Sequence, residues 1–128
     1  MKRDVVSTSH APAAIGPYSQ AIRFSGNMIF TSGQIPIDPT SGQIIGTTTA
    51  EQTEQVLRNL SAVLEAGGSS LTNVIKVTVF LKNMSDFGEM NTVYGRYFSS
   101  NPPARSAVEV ARLPKDVLVE IECLALAE

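Results

Sequence analysis

Apolar residues recur along this chain at two periods, and the switches between them mark its elements. Ala21 to Phe24 and Met28 to Ser32 are short apolar stretches separated by Ser25-Gly26-Asn27, a turn signal, and together predict a hairpin. Pro36, Pro39 and Gly42 break the pattern into a loop lasting to about Thr47. Helical spacing then takes over: Val56, Leu57, Leu60, Val63 and Leu64 form one stripe. Thr49 with Gln52 fits a capping box at its start, and Gly67-Gly68 supplies a stop.

Val74 to Leu81 is rich in β-branched residues and predicts a strand, with Lys76 and Thr78 on one side and Ile75, Val77, Val79 and Leu81 on the other. A second helix is expected from Ser85 as N-cap, with Asp86 favourable to the helix dipole. Phe87, Met90, Tyr94, Tyr97 and Phe98 share its apolar face, Gly88 and Gly95 weaken it, and Asn101-Pro102-Pro103 ends it. Arg105 to Ala111 and Val117 to Ala125 flank a Leu113-Pro114-Lys115-Asp116 turn and read as a closing hairpin. The order predicts a single α+β domain, residues 1–128, with one sheet and two helices on one face. The last strand is apolar on both sides, with Val119, Ile121 and Cys123 opposite Leu118, Leu124 and Leu126. The face left bare by the helices needs a cover, which a second copy or the Pro36 to Thr47 loop would supply; a closed homo-oligomer is the economical expectation.

Composition narrows the function classes. The 128 residues carry a formal net charge of −2 and no Lys/Arg run, so the footprint of a generic nucleic-acid binder is missing. One cysteine, Cys123, and one histidine, His10, rule out an intrachain disulfide and multi-Cys or multi-His metal sites. His10, near a polar N-terminus expected to be mobile, reads as a surface residue, and Cys123 as a small buried hydrophobe. No apolar run reaches the length of a membrane span and no signal-peptide pattern opens the chain, so a cytoplasmic protein is expected.

The chemistry concentrates in the closing strands. Arg105 begins a strand of small and apolar residues, and Glu120 and Glu122 interrupt an apolar one. Charges in such places are costly unless paired or used on a ligand. In an antiparallel hairpin Arg105 and a glutamate would share a face in one register and not in the next. One reading is an ion pair that stabilises the hairpin. The other is a site in which the planar guanidinium holds a carboxylate and the acid positions water.

Ala11-Pro12-Ala13-Ala14-Ile15-Gly16-Pro17-Tyr18-Ser19-Gln20, Thr31-Ser32-Gly33-Gln34-Ile35-Pro36, and Pro103 to Asp116 followed by Val119-Glu120-Ile121-Glu122 closely resemble the reactive-intermediate deaminase (Rid/YjgF) family. The similarity runs over nearly the full chain and is nearest to the 2-iminobutanoate/2-iminopropanoate deaminase branch. The resemblance implies a chorismate-mutase-like fold and a homotrimer with active sites in clefts between subunits. It implies cofactor-free hydrolysis of imines and enamines released by pyridoxal-phosphate-dependent dehydratases, giving 2-oxo acids and ammonia. Carried over by position, Arg105 resembles the carboxylate-binding arginine and Glu120 the water-positioning acid, while Tyr18, Ser32, Gly33 and Asn91 match pocket positions. Ala107 stands where many members carry cysteine, so chemistry requiring that thiol is not expected here. A metabolite sensor without turnover, and an RNA-cleaving translation inhibitor, are the competing functions.

Overall fold

The computed structural model describes residues 2–128. Eight strands and helices follow in the order β1 (Lys2–Val6), β2 (Ala21–Ser25), β3 (Asn27–Phe30), α1 (Thr49–Ala66), β4 (Val74–Leu81), α2 (Phe87–Tyr97), β5 (Ala104–Glu109) and β6 (Val119–Ala127). Four strands form a mixed sheet in the order β3-β6-β4-β5, and both helices pack on one of its faces. The α+β reading therefore holds, with an additional two-stranded ribbon, β1-β2, beside the main sheet.

The apolar patterns explain the layers. Val56, Leu57, Leu60 and Leu64 of α1 and Met90 and Tyr94 of α2 meet Val77, Val79, Ile121 and Cys123 in one core. Val63, placed on the stripe by spacing, lies off it and is half-exposed. Burial along β4 alternates as expected, with Val77, Val79 and Leu81 inside and Lys76, Thr78 and Phe80 on the other side. The cap of α1 lies one residue earlier than the sequence suggests. Thr48 accepts from the Glu51 N–H, and the Glu51 carboxylate accepts from the Thr48 N–H. At its other end only Gly68 takes a left-handed φ, +80°. At Gly67 an added Cβ would meet the terminal methyl of Ile29, which would have to turn away. The second helix begins at Phe87, with Asp86 as N-cap and no side-chain cap.

Two expected hairpins do not form. β2 pairs with β1 and β3 with β6, so Gly26, at φ +121°, passes the chain from one sheet to another instead of folding it back. The N-terminus is correspondingly a strand. Arg3 fastens it by donating Nε to the Val74 carbonyl and Nη2 to that of Asn101, both at 2.9 Å. At the other end of the chain, β4 lies between β5 and β6. β5 runs parallel to β4, as a crossover through α2 requires, and β6 runs antiparallel to it. The most continuously apolar strand thereby takes a central place, and the strand bearing Arg105 takes an edge.

The helix-free face of the sheet carries Met28, Phe30, Phe80, Val108 and Leu124, with Phe30 65% and Val108 43% exposed. The Pro36 to Thr47 loop does not cover it. That loop's start docks on α1, where Asn59 Nδ2 donates to the carbonyls of Ile35 and Ile37 at 3.1 and 3.0 Å.

Candidate active site

The register places Arg105 and Glu120 on opposite faces of the sheet. Arg105 pairs with Val77, whose side chain belongs to the core beneath the helices. Glu120 lies between Val119 and Ile121, both buried in that core, and pairs with Phe80 on the helix-free side. The closing hairpin is thus overturned, and with it the register in which Arg105 and Glu120 would share a face and form a simple ion pair. The cause is the insertion of β4, which no local pattern in β5 or β6 reveals.

Around Arg105 the structure gathers two of the predicted residues, Asn91 and Tyr18. Nη1 donates to Asn91 Oδ1 of α2 at 2.6 Å. The guanidinium carbon lies 5.7 Å from the Tyr18 ring centroid, 5.4 Å from Phe87 and 4.8 Å from Tyr94, within cation–π range of all three. Burial lowers the Arg105 pKa, and the neighbouring phenols of Tyr94 and Tyr18 oppose that shift. An arginine starts so high that it stays charged regardless. Tyr18 is brought here by Ser19, whose N–H donates to Pro103 at 3.0 Å and whose hydroxyl donates to Pro102, joining the segment to the edge of β5. The Tyr18 hydroxyl accepts from the Ile15 N–H at 3.3 Å and keeps its own proton available. Gly16 borders Nη2, where an added Cβ would stand 3.9 Å away.

Around Glu120 the structure gathers the other two. Thr31 pairs with Cys123 and Gln34 with Ile121, so Ser32 and Gly33 together oppose the single residue Glu122. This is a β-bulge, a device that re-aims a strand locally. It brings Gly33 under the Glu120 carboxylate so closely that a Cβ there would lie 2.8 Å from Glu120 Cδ and collide with Oε2. Glycine is needed for this approach, not for its backbone angles. Among the described residues Glu120 makes no hydrogen bond or ion pair within the chain. Its pKa is raised, first by burial and then by the charge of Glu122. Ser32 is exposed beside it.

One chain therefore presents two separate clusters, each a candidate half-site: Tyr18, Asn91 and Arg105 on one face, and Ser32, Gly33 and Glu120 on the other. The aromatic partners Phe87 and Tyr94 were seen in the sequence only as core positions; their helical spacing gave no hint of the guanidinium between them. Cys123 is buried, and burial pushes its thiol up to about 11, which suits a core residue and not a nucleophile. Ala107 packs against the core beyond Arg105, and His10 is exposed. Among the described residues no group of three or more His, Cys, Asp or Glu side chains is arranged to hold a metal ion.

Comparison with known proteins gives this arrangement a context. A family model described as "Endoribonuclease L-PSP" matches residues 8–127. A RutC family protein of Pyrococcus horikoshii is 58% identical over 98% of this chain and 99% of its own length. The rat 2-iminobutanoate/2-iminopropanoate deaminase is 50% identical over 97% of this chain and 90% of its own. A solved structure of an endoribonuclease-like protein from Thermotoga maritima superposes with a TM-score of 0.77 at 56% identity, covering 100% of this chain and 99% of the other.

Proposed function

The chain belongs to the Rid/YjgF family, and from that premise we propose that it hydrolyses 2-imino acids such as 2-iminobutanoate and 2-iminopropanoate to 2-oxo acids and ammonia. Membership supports imine and enamine deamination at the level of the family; the substrate and the residue roles are our reading. The observation that carries it is the bound but unspent guanidinium of Arg105. Asn91 occupies one nitrogen, and the remaining donors are free to grip a carboxylate.

The two half-sites lie back to back in one chain, so a working site joins Arg105 of one copy to Glu120 of another. The helix-free face, where exposed Phe30 and Val108 lie on the same side as Glu120, is the surface on which copies would meet, in a homotrimer with three inter-subunit clefts. In such a cleft Arg105 holds the substrate carboxylate, with Tyr18 and Asn91 framing it. Water held by Glu120 over Ser32 and Gly33 attacks the iminium carbon. The C=N pair moves to nitrogen, and the water's proton passes to Glu120. The carbinolamine then receives that proton on nitrogen and expels ammonia as the C=O bond forms. The carbonyl's excess proton leaves with the ammonia as ammonium. Orientation by Arg105 and modest base assistance suffice, because a protonated imine is already electrophilic. No cofactor is needed. The substrate's chemistry points to pyridoxal-phosphate-dependent dehydratases as its source and to the cytoplasm as the place of action.

The test is complementation in an assay where a threonine dehydratase generates the imine. Arg105→Ala and Glu120→Gln are each expected to keep only about 1% of wild-type activity or less. Subunits of the two mixed by unfolding and refolding should recover roughly a quarter of wild-type activity, the share of clefts that receive both intact residues in a random mixture. No recovery from properly assembled mixtures would refute the shared site. Full activity of Arg105→Ala alone would refute the role of Arg105. A ribonuclease activity that survives purification and is lost in both variants would favour the RNA-cleaving alternative.

A further inference from the structure

Arg105 is held by more than Asn91 and Tyr18. Tyr94 lies on the buried face of α2, wholly inside the protein, and its ring is the nearest of the three to the guanidinium, at 4.8 Å. Phe98, four residues on and just past the end of α2, packs on the Tyr94 ring with centroids 4.6 Å apart and planes inclined by 35°. Arg105, Val77 and Cys123 form a row across three strands, and of these three only Arg105 carries a charge. The Tyr94 ring therefore lies against the guanidinium from inside the core. The Tyr94 hydroxyl is buried and has no hydrogen-bond partner among the described residues. An orphan hydroxyl of this kind is a net cost. What Tyr94 contributes is therefore its aromatic face.

We infer that Tyr94 is a positioning residue: its ring, with Asn91 at one edge, fixes the guanidinium of Arg105 so that its free nitrogens face the cleft. The inference rests on the reading of Arg105 as the carboxylate-binding residue. It makes the grip on the substrate depend on a core side chain that no ligand can touch. Removing the ring lets the guanidinium lean into the space vacated, while the Glu120 half-site on the other face of the sheet stays as it was. Binding should suffer and the chemical step should not.

Binding of 2-oxobutanoate by calorimetry, alongside KM and kcat in the coupled assay, tests this in the full-length assembly. Tyr94→Phe is expected to match wild type within about twofold, since it keeps the ring. Tyr94→Leu should weaken 2-oxobutanoate binding and raise KM by about tenfold, with kcat nearly unchanged. Tyr94→pentafluorophenylalanine keeps the shape and removes the negative ring face. It should resemble Tyr94→Leu, and it decides the matter if Tyr94→Leu fails to fold. Slowed rotation of the Arg105 guanidinium in the ligand-free protein, followed by nitrogen NMR, should be lost in the pentafluoro variant and kept in Tyr94→Phe. A pentafluoro variant equal to Tyr94→Phe in binding and in guanidinium rotation overturns the inference, as does a Tyr94→Leu variant that folds and binds like wild type. If Arg105→Ala itself still binds 2-oxobutanoate, the carboxylate reading has failed and this inference goes with it. If Arg105→Ala loses binding while the Tyr94 variants keep it, only the inference has failed.

Discussion

Arg105 stands among three aromatic rings with Asn91 bound to one of its nitrogens. Glu120 has a glycine beneath it, an acidic neighbour, and no partner within the chain among the described residues. The difference matches the tasks proposed for them. A guanidinium that recognises a carboxylate works best when its plane is set before the ligand arrives, because orientation is then already in place. A carboxylate that must accept a proton works best unpaired and with a raised pKa, since a strong ion pair would make it a poor base. The cage favours rigidity and the bulge favours availability.

The comparison would break most visibly at Arg105. Arg105→Lys keeps the charge and loses the planar fork, and is expected to lower kcat/KM by about a hundredfold or more, read from steady-state hydrolysis of dehydratase-generated imine. A lysine variant near wild type would mean that charge alone suffices and the cage is incidental. Glu120→Gln should lower kcat by about a hundredfold while 2-oxobutanoate affinity changes by less than about threefold. An effect on affinity of equal size would merge the two roles.

Gly33→Ala sharpens the Glu120 side. The added methyl must displace the carboxylate, so kcat is expected to fall by about tenfold, with the melting temperature nearly unchanged because the nearest atoms in its way all belong to the flexible Glu120 side chain. The smallest expected effect is a pH signature. The activity attributed to ionised Glu120 should rise with pH through a midpoint above the ordinary glutamate value of 4.5 and vanish in Glu120→Gln. Stability should run the other way. A carboxyl whose folded pKa is raised favours the fold fully below its unfolded pKa and loses that contribution as pH rises through the folded value. Thermal melts across that range should show wild type losing stability relative to Glu120→Gln as the pH climbs. A constant difference between the two would remove the burial argument.

Much of this molecule was legible in local patterns. The alternation along Val74 to Leu81 and the stripe of α1 gave the core faces, because side-chain burial follows the periods of strand and helix. The motif around Arg105 and Glu120 pointed to both half-sites. The errors fell where pairing decides. Ser25-Gly26-Asn27 looked like a hairpin turn and is a passage between sheets. The Leu113 to Asp116 turn joins strands that do not touch, and Lys115 and Asp116 take left-handed angles of +55° and +57° to carry the chain around β4. The polar start of the chain looked loose, yet Lys2–Val6 forms a strand.

By itself, the order of residues determined both helices and most of the strands, which of their faces are apolar, and which few charged side chains stand in otherwise apolar strands. These follow from interactions within a few positions along the chain. Strand neighbours depend on contacts between distant segments, so only the tertiary structure decided that β4 separates β5 from β6. The same pairing set the arginine and the glutamate on opposite faces of the sheet and left Tyr94 against the guanidinium.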